Sequence, residues 1–197
     1  MQLDHLAICA ADLDTGVAWA EARLGVALGA TGRHARFGTH NRLLGLGEGL
    51  YLEVIAPDPD APVEGPRWFG LESPPLHPRL GNWICRVPDL DAALVDFPEC
   101  GAAVDLARDA LRWRISVPTD GSLPLDGALP TLLQWQVAKP PGDSLPDSAV
   151  RVLGLEVTHP QAGALADRVQ VPGVTYRTGA VPGLSARFDT PRGEITL

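Results

Sequence analysis

Glu53 is the residue whose sequence surroundings most strongly suggest a functional site. It lies between Leu52 and Val54 in the apolar segment Tyr51–Ile55, which the residue pattern predicts to be a strand. A carboxylate in such a strand costs free energy unless it is paired, hydrogen-bonded or metal-bound. The alternative is a solvated glutamate on an open face of a sheet.

Several other chemistries lack their sequence motifs. The chain has no G-x-S-x-G sequence, no phosphate-binding glycine loop with its lysine, and no G-x-G-x-x-G at the start of a helix. Its 16 basic and 24 acidic residues give a net charge of −8, which disfavours a protein that follows nucleic-acid phosphates. We therefore expect neither nucleic-acid nor nucleotide chemistry.

Cysteine usage and hydropathy bear on the compartment. The three cysteines, Cys9, Cys85 and Cys100, are odd in number and lack metal-type spacing, which favours reduced thiols over a disulfide framework. The chain begins with strand-like sequence, and no apolar run approaches the roughly 18 residues that a membrane span needs. We therefore expect a cytoplasmic protein with no membrane partner.

The elements that position Glu53 follow a repeated pattern. The segment Leu3–Asp14 reads as a strand followed by a helix start, and Leu80–Asp91 repeats it with the same Asp-Leu-Asp ending. Three predicted strands follow each helix, so the repeating unit is β-α-β-β-β. The 21 glycines and 19 prolines supply the many turns that such units require.

A third, shorter and degenerate copy is predicted at the end of the chain, with strands over residues 152–157, 174–177, 184–189 and 194–197. We predict an α+β fold with units at residues 1–57, 80–140 and 148–197 and a linker at 58–79. Because Gly154 and Leu197 occupy the candidate site positions of the third unit, the chemistry belongs to the first two. We expect the third unit to cover a sheet edge or to form a subunit contact.

Four short segments carry a resemblance to a known superfamily. They are Asp4-His5-Leu6, Gly38-Thr39-His40-Asn41, Tyr51–Ile55 and, in the second unit, Leu132-Leu133-Gln134-Trp135. With the repeated units, they make the chain resemble the vicinal oxygen chelate superfamily, in its glyoxalase-like branch of glyoxalases, bleomycin resistance proteins and extradiol dioxygenases. The resemblance implies two units that pair edge to edge and curl mixed sheets around a shared cleft. It leaves the reaction open, because isomerases, lyases, epimerases and dioxygenases share this fold.

The resemblance also implies a metal site. Members commonly hold a divalent ion with a ligand from the first and the last strand of each unit, which are His5 and Glu53 in the first unit. An imidazole and a carboxylate suit Zn, Fe, Mn or Ni. In the second unit the matching positions are Asn82 and either Gln134 or Gln136, whose amides supply no charge. We therefore expect a metal that is weakly bound or absent.

Further side chains are predicted to border the cleft. His40 and Asn41 lie on a strand that should line it, and His34 or His40 could supply a second imidazole. Trp113 and Trp135 could form a flat apolar wall. Arginines on middle strands could bind a carboxylate or phosphate, and these are Arg36, Arg42, Arg112 and Arg114.

The leading interpretation is a metal-assisted lyase, isomerase or dioxygenase-like enzyme acting on a small oxygenated metabolite, with His5 and Glu53 as catalytic residues. The metal would polarise a carbonyl or stabilise an enediolate, and Glu53 could instead move the proton itself. The rival interpretation is a metal-free protein that binds or sequesters a small molecule, as drug-resistance members of the superfamily do. A third is an oligomeric scaffold, and the odd number of units makes a homodimer reasonable.

Overall fold

The computed structural model describes residues 1–197 and contains three units with the element order strand, helix and three strands. The first unit consists of β1 (Gln2–Cys9), α1 (Leu13–Leu24), β2 (Thr31–His34), β3 (Thr39–Gly47) and β4 (Leu50–Pro57). The second consists of β5 (Arg79–Arg86), α2 (Leu90–Asp96), β6 (Ala102–Arg108), β7 (Leu111–Val117) and β8 (Thr131–Trp135). The third consists of β9 (Arg151–His159), α3 (Ala162–Arg168), β10 (Val174–Thr178), β11 (Gly183–Thr190) and β12 (Gly193–Thr196).

The starts of the first two helices follow from the repeated Asp-Leu-Asp sequence. The side chain of Asp12 accepts a hydrogen bond from the backbone N–H of Thr15, and that of Asp89 accepts one from Ala92. Each aspartate thus satisfies an amide that has no partner within its helix. Helix α1 ends at Gly25, whose φ of 76° is the left-handed conformation that glycine adopts without strain. None of the helices is long and apolar enough to cross a membrane.

The first two units form one eight-stranded sheet with the order β2-β3-β4-β1-β5-β8-β7-β6. Strands β1 and β5 pair antiparallel at its centre, and each unit's first strand pairs parallel with its last. The sheet curls until its two edge strands meet. The contact is seen between Arg108, at the end of β6, and His34, at the end of β2, where Nη1 of the arginine lies 3.2 Å from Nε2 of the histidine. The predicted α+β fold with curved mixed sheets around a cleft is confirmed.

Each face of the curled sheet carries its own apolar cluster. The inner cluster contains 12 buried residues, among them Ile55, Trp113 and Leu133. The outer cluster contains 30 buried residues and joins α1, α2 and the third unit to the back of the sheet. The inner cluster therefore surrounds the cleft, and the outer cluster forms the main core.

The third unit differs from the first two in its strand pairing. Its first strand lies inside a four-stranded sheet of order β10-β9-β11-β12, parallel to β10 and antiparallel to β11. Ala186 and Phe188 of β11 share the outer cluster with Trp83 and Cys85 of β5. The expectation that this unit covers a sheet edge is therefore wrong, because its apolar face packs against the outer face of the central strands.

The predicted linker at residues 58–79 also covers part of the cleft. Trp68 stacks between Phe37 and Phe69, with ring centroids 4.4 and 4.6 Å away. Its indole N–H donates a hydrogen bond to Oγ1 of Thr39 at 3.0 Å. This segment is therefore a packed wall of the cleft as well as a connection between two units.

Candidate functional site

The structure brings His5 and Glu53 together on the inner face of the sheet. Strands β1 and β4 are parallel neighbours in which Ala7 is aligned with Glu53, and side-chain alternation turns His5 and Glu53 to the same side. Both residues are buried, and Nε2 of His5 lies 3.7 Å from Oε2 of Glu53. The imidazole also stacks on the ring of Tyr51, with centroids 4.3 Å apart.

Asp4 holds the His5 ring in place. The pairing of β1 with β5 has a register shift between Leu3 and His5, so Asp4 is the extra residue of a β-bulge. Its Oδ1 lies 2.7 Å from Nδ1 of His5, and its Oδ2 accepts a hydrogen bond from the indole N–H of Trp135 at 2.9 Å. In the tautomer that donates Nδ1–H to Asp4, the Nε2 lone pair of His5 faces Glu53.

The charge of Asp4 is stabilised despite its complete burial. Burial alone would raise the pKa of its carboxyl group. The hydrogen bond and charge of His5, the indole N–H of Trp135 and the charge of Arg86 outweigh burial, so that the pKa of Asp4 lies below its ordinary value. Asp4 therefore remains an ionised acceptor for His5 at neutral pH.

A second set of polar contacts runs from Glu53 to the opposite edge of the sheet. The Asn41 amide nitrogen donates a hydrogen bond to Oε1 of Glu53 at 2.5 Å, and its amide oxygen accepts one from Nη1 of Arg108 at 3.4 Å. Arg108 comes from the second unit, so this path crosses the cleft. The nitrogen and the oxygen of the Asn41 amide therefore each have a hydrogen-bond partner.

His34 continues these contacts as a neutral residue. Burial, with smaller contributions from the charges of Arg108 and His5, lowers the pKa of His34 to about 3. The neutral ring can accept from Arg108 at Nε2, and its Nδ1 lies 3.1 Å from Oγ1 of Thr39, to which it can donate. Predicted only as an alternative imidazole, His34 instead supports the guanidinium of Arg108.

These groups surround a cavity of about 30 Å³, which has room for about two water molecules. Its polar side carries His5, Asn41 and Glu53 from the first unit and Arg108 from the second. Its apolar side is formed by aromatic and aliphatic side chains, chiefly Trp68, Phe69, Trp113, Leu133 and Trp135. Trp113 and Trp135, which were predicted to form a flat wall, both line the cavity, but their rings are tilted by 49° to each other.

The amides predicted as the second half of the site lie elsewhere. Asn82 is completely buried and hydrogen-bonds Thr131 and the backbone of Trp83. Gln134 accepts from the backbone N–H of Leu90 and donates to the carbonyl of Pro88, so it holds the start of α2. Gln136 follows the end of β8 and is exposed. The second unit therefore contributes apolar side chains and one arginine to the cavity, whereas the first unit contributes most of its polar groups.

His40 lies on the opposite face of β3 from Asn41, because adjacent side chains of a strand point to opposite sides. Its Nε2 is buried and has no hydrogen-bond partner. The structure therefore keeps His40 out of the cavity that Asn41 lines.

The four arginines proposed as anion ligands are also outside the cavity. Arg36 and Arg112 are exposed, Arg42 donates to Thr31, and Arg114 forms a two-point ion pair with Asp91. Arg108 was missed because its position at an edge strand gives no sequence signal. Only the curling of the sheet brings this edge to the first unit.

The donor set does not fit a resident divalent metal ion. His5 and Glu53 are two donors, whereas a catalytic zinc site commonly has three protein ligands. No group of three or more His, Cys, Asp or Glu side chains is arranged to hold a metal. The Asn41 amide is occupied at both ends, and the nearby Arg108 adds a positive charge. The predicted ligands are therefore adjacent, but the second unit does not complete a metal site.

Comparison with known sequences gives one family match. A sequence model described as a glyoxalase-like domain matches residues 3–171, which include the first two units and the start of the third. No curated protein sequence matches the chain.

Solved structures similar to the chain include methylmalonyl-CoA epimerases. The enzyme from Mycobacterium tuberculosis is 22% identical, with a TM-score of 0.45 over 70% of this chain and 88% of that chain. A Streptomyces coelicolor methylmalonyl-CoA epimerase variant in complex with 2-nitronate-propionyl-CoA is 19% identical, with a TM-score of 0.44 over 71% and 97%. A hypothetical protein from Bacillus halodurans C-125 is 14% identical, with a TM-score of 0.44 over 70% and 95%.

Proposed function

Since the chain belongs to the glyoxalase-like domain family, we propose that it is an enzyme of the isomerase or lyase type that moves a proton on a small oxygenated metabolite. The membership confirms the resemblance to the vicinal oxygen chelate superfamily. The observation that carries the proposal is the buried Glu53 carboxylate, which faces the cavity beside the Asp4-oriented His5.

Glu53 is the proposed proton acceptor. One carboxylate oxygen is held by Asn41, and the other faces Nε2 of His5, so the group is fixed in orientation. Oε2 takes a proton from a carbon next to a substrate carbonyl, and the electron pair of the broken C–H bond moves to the carbonyl oxygen as an enolate. Return of the proton to carbon completes an isomerisation, with no change in oxidation state.

His5 is the proposed second proton carrier. Its Nδ1 is held by Asp4, which fixes the ring plane and leaves Nε2 to exchange a proton with Glu53 or with the substrate. Tyr51 supports the opposite face of the ring. This arrangement gives the cavity two proton-exchanging groups on one wall.

The test is deuterium incorporation from D2O into a panel of 2-oxo acids, 2-hydroxy ketones and acyl thioesters, measured by NMR. We expect the wild-type protein to label at least one panel compound at the carbon next to the carbonyl. Glu53→Gln should lower that rate by about 100-fold or more, because a general base contributes about that much. Glu48→Gln, an exposed change in a nearby turn, should leave the rate unchanged. Full exchange in Glu53→Gln, or none in wild type, would contradict the proposal.

A metal-assisted form of the reaction can be separated by metal analysis of the purified protein and exchange in excess EDTA. Because the donor set is incomplete, we expect exchange to persist in EDTA. A stoichiometric Zn, Fe, Mn or Ni ion that is lost in His5→Ala, together with EDTA-sensitive exchange, would replace this proposal with the metal-assisted one.

The apolar wall favours a second candidate, a protein that binds a small molecule without turning it over. Three of the five tryptophans line the cavity. Under this alternative, a ligand would quench their fluorescence equally in wild type and Glu53→Gln, and no panel compound would exchange.

A further inference from the structure

Arg108 stands between the cavity and the solvent. It is the last residue of β6 and precedes the exposed Asp109–Ala110 turn to β7. Its guanidinium lines the 30 Å³ cavity and also borders an open groove of about 460 Å³ along β2 and β3. Asn41 and Leu43 line both spaces as well. A small molecule moving from this groove to Glu53 therefore passes Arg108.

The guanidinium of Arg108 has polar contacts but no anionic partner. Its contacts are Nε2 of His34 and the amide oxygen of Asn41, both neutral. It forms no ion pair with an aspartate or glutamate. By contrast, Arg114, Arg151 and Arg168 each bind a carboxylate with two nitrogens. A half-buried guanidinium that no carboxylate of the protein neutralises is available to bind an anion that enters the cavity.

Gly32 leaves the space that the guanidinium occupies. A Cβ atom at this position would lie 2.5 Å from Nη1 of Arg108 and 2.6 Å from the amide oxygen of Asn41. A larger residue at position 32 would therefore displace the guanidinium of Arg108 or the Asn41 amide. The first unit thus accommodates an arginine supplied by the second.

We propose that Arg108 is the substrate anchor of the site and that its ligand is the carboxylate of a small carboxylic acid. This inference rests on the proposed function and specifies its substrate class. With the carboxylate on Arg108, the adjoining carbons extend along the tryptophan wall towards Glu53 and His5. The nearby carboxylates of Asp4 and Glu53 disfavour a phosphate dianion, because one guanidinium would have to offset its second charge as well.

The test is titration of the intrinsic tryptophan fluorescence with propionate and benzoate, with propionamide and benzamide as their uncharged counterparts and inorganic phosphate as the competing anion. We expect saturable binding of at least one acid, about tenfold or more tighter than its amide and tighter than phosphate. Arg108→Gln, which keeps hydrogen-bond donors but loses the charge, should weaken acid binding about tenfold and leave amide binding unchanged. Arg187→Ala, a change to an exposed arginine of the distant four-stranded sheet, should bind as wild type.

Arg108→Lys keeps the positive charge. If circular dichroism shows that Arg108→Gln does not fold, Arg108→Lys tests instead whether acid binding depends on Arg108. It should retain a preference for the acid over the amide, weaker than in wild type because a single ammonium replaces the two-nitrogen contact. Equal binding of acids and amides, phosphate binding as tight as the acids, or wild-type acid binding in Arg108→Gln would overturn the inference.

The outcome is separable from that of the proposed function. Glu53→Gln removes a negative charge near the ligand, so it should bind the acids at least as tightly as wild type while losing deuterium exchange. Arg108-dependent acid binding without exchange in any protein would retain the anchor and reject the catalytic proposal. Deuterium exchange without Arg108-dependent acid binding would retain the catalytic proposal and reject Arg108 as the anchor.

Discussion

At the scale of single residues, the neutral state of His34 is needed for the contact that closes the cleft. Its Nε2 can accept a hydrogen bond from Arg108 only while it carries no proton. Protonation would place an imidazolium against a guanidinium and would break the contact between the sheet edges. The pKa of about 3 keeps the ring neutral over the whole physiological range.

This low pKa predicts how stability depends on pH. An unfolded chain binds a proton at His34 near pH 6.5, whereas the folded protein does so near pH 3, so the free energy of unfolding should fall as the pH drops between these values. The contribution is at most about 1.4 kcal/mol per pH unit. Urea unfolding of wild type and His34→Gln at pH 7, 6, 5 and 4 measures it as the difference between the two proteins. The exposed substitution His77→Gln is the control. Parallel pH profiles for wild type and His34→Gln would refute the assignment.

The resemblance to the superfamily was enough to predict that His5 and Glu53 are neighbours, because it places the first and last strands of one unit side by side, as the structure does. The roles of Asp4 and Arg108 depend on a bulge and on the meeting of two sheet edges, neither of which has a local sequence signal. Arg108 resembles Arg112 and Arg114 in the sequence and differs from them only in what the curled sheet places beside it. The predicted second half of the metal site failed for a related reason, since Asn82 and Gln134 bond to neighbouring structure.

At the scale of elements, helix α1 approaches the sheet so closely that one position has no room for a side chain. A Cβ atom at Gly16 would lie 2.8 Å from Cβ of Ala10 and 2.9 Å from Cγ1 of Val54. Gly163, in α3, has no atom within 4 Å of its corresponding Cβ position. Both glycines lie in helices, and only their surroundings distinguish them.

Alanine should therefore have opposite effects at these two glycines. Gly16→Ala should lower the free energy of unfolding by about 1–2 kcal/mol, because overpacking exceeds the gain in helix propensity. Gly163→Ala should raise it by up to about 1 kcal/mol, because only the propensity changes. Urea denaturation of the two variants measures both effects. Stabilisation by Gly16→Ala would show that α1 can move away from the sheet at little cost.

The order of strands and helices was predictable in all three units, because it depends on local periodicity and turns. The strand pairing in the third unit was not predictable from these local signals. Strand β9 pairs with the next strand of its own unit, whereas β1 pairs with the last strand of its unit. That choice depends on which face each sheet buries, and here β11 must present Phe188 to the core formed by β5.

At the scale of the whole molecule, the shared outer cluster implies that the third unit and the eight-stranded sheet unfold together. Phe188 is fully buried in this cluster, whereas Val181, in the same unit, is 76% exposed. All five tryptophans lie in the first 135 residues, outside the third unit, and Trp83 belongs to the same outer cluster as Phe188.

Phe188→Ala should lower the free energy of unfolding measured by tryptophan fluorescence by about 3–5 kcal/mol, although no tryptophan lies in the mutated unit. Val181→Ala should change it by less than about 0.5 kcal/mol. Circular dichroism should give the same midpoint as fluorescence for each protein. If Phe188→Ala shifted only the dichroism signal, the third unit would be an independent folding domain.

The small size of the cavity has a kinetic consequence. Because the cavity holds only about two water molecules, a propionate ion fits beside Glu53 only when the groups around the cavity, among them Arg108, move apart. The measured dissociation constant is then the intrinsic constant divided by the fraction of molecules that are open. At high ligand concentration, the observed binding rate levels off at the rate of opening. The contacts that join the two edges of the sheet thereby influence both how tightly and how fast a ligand binds.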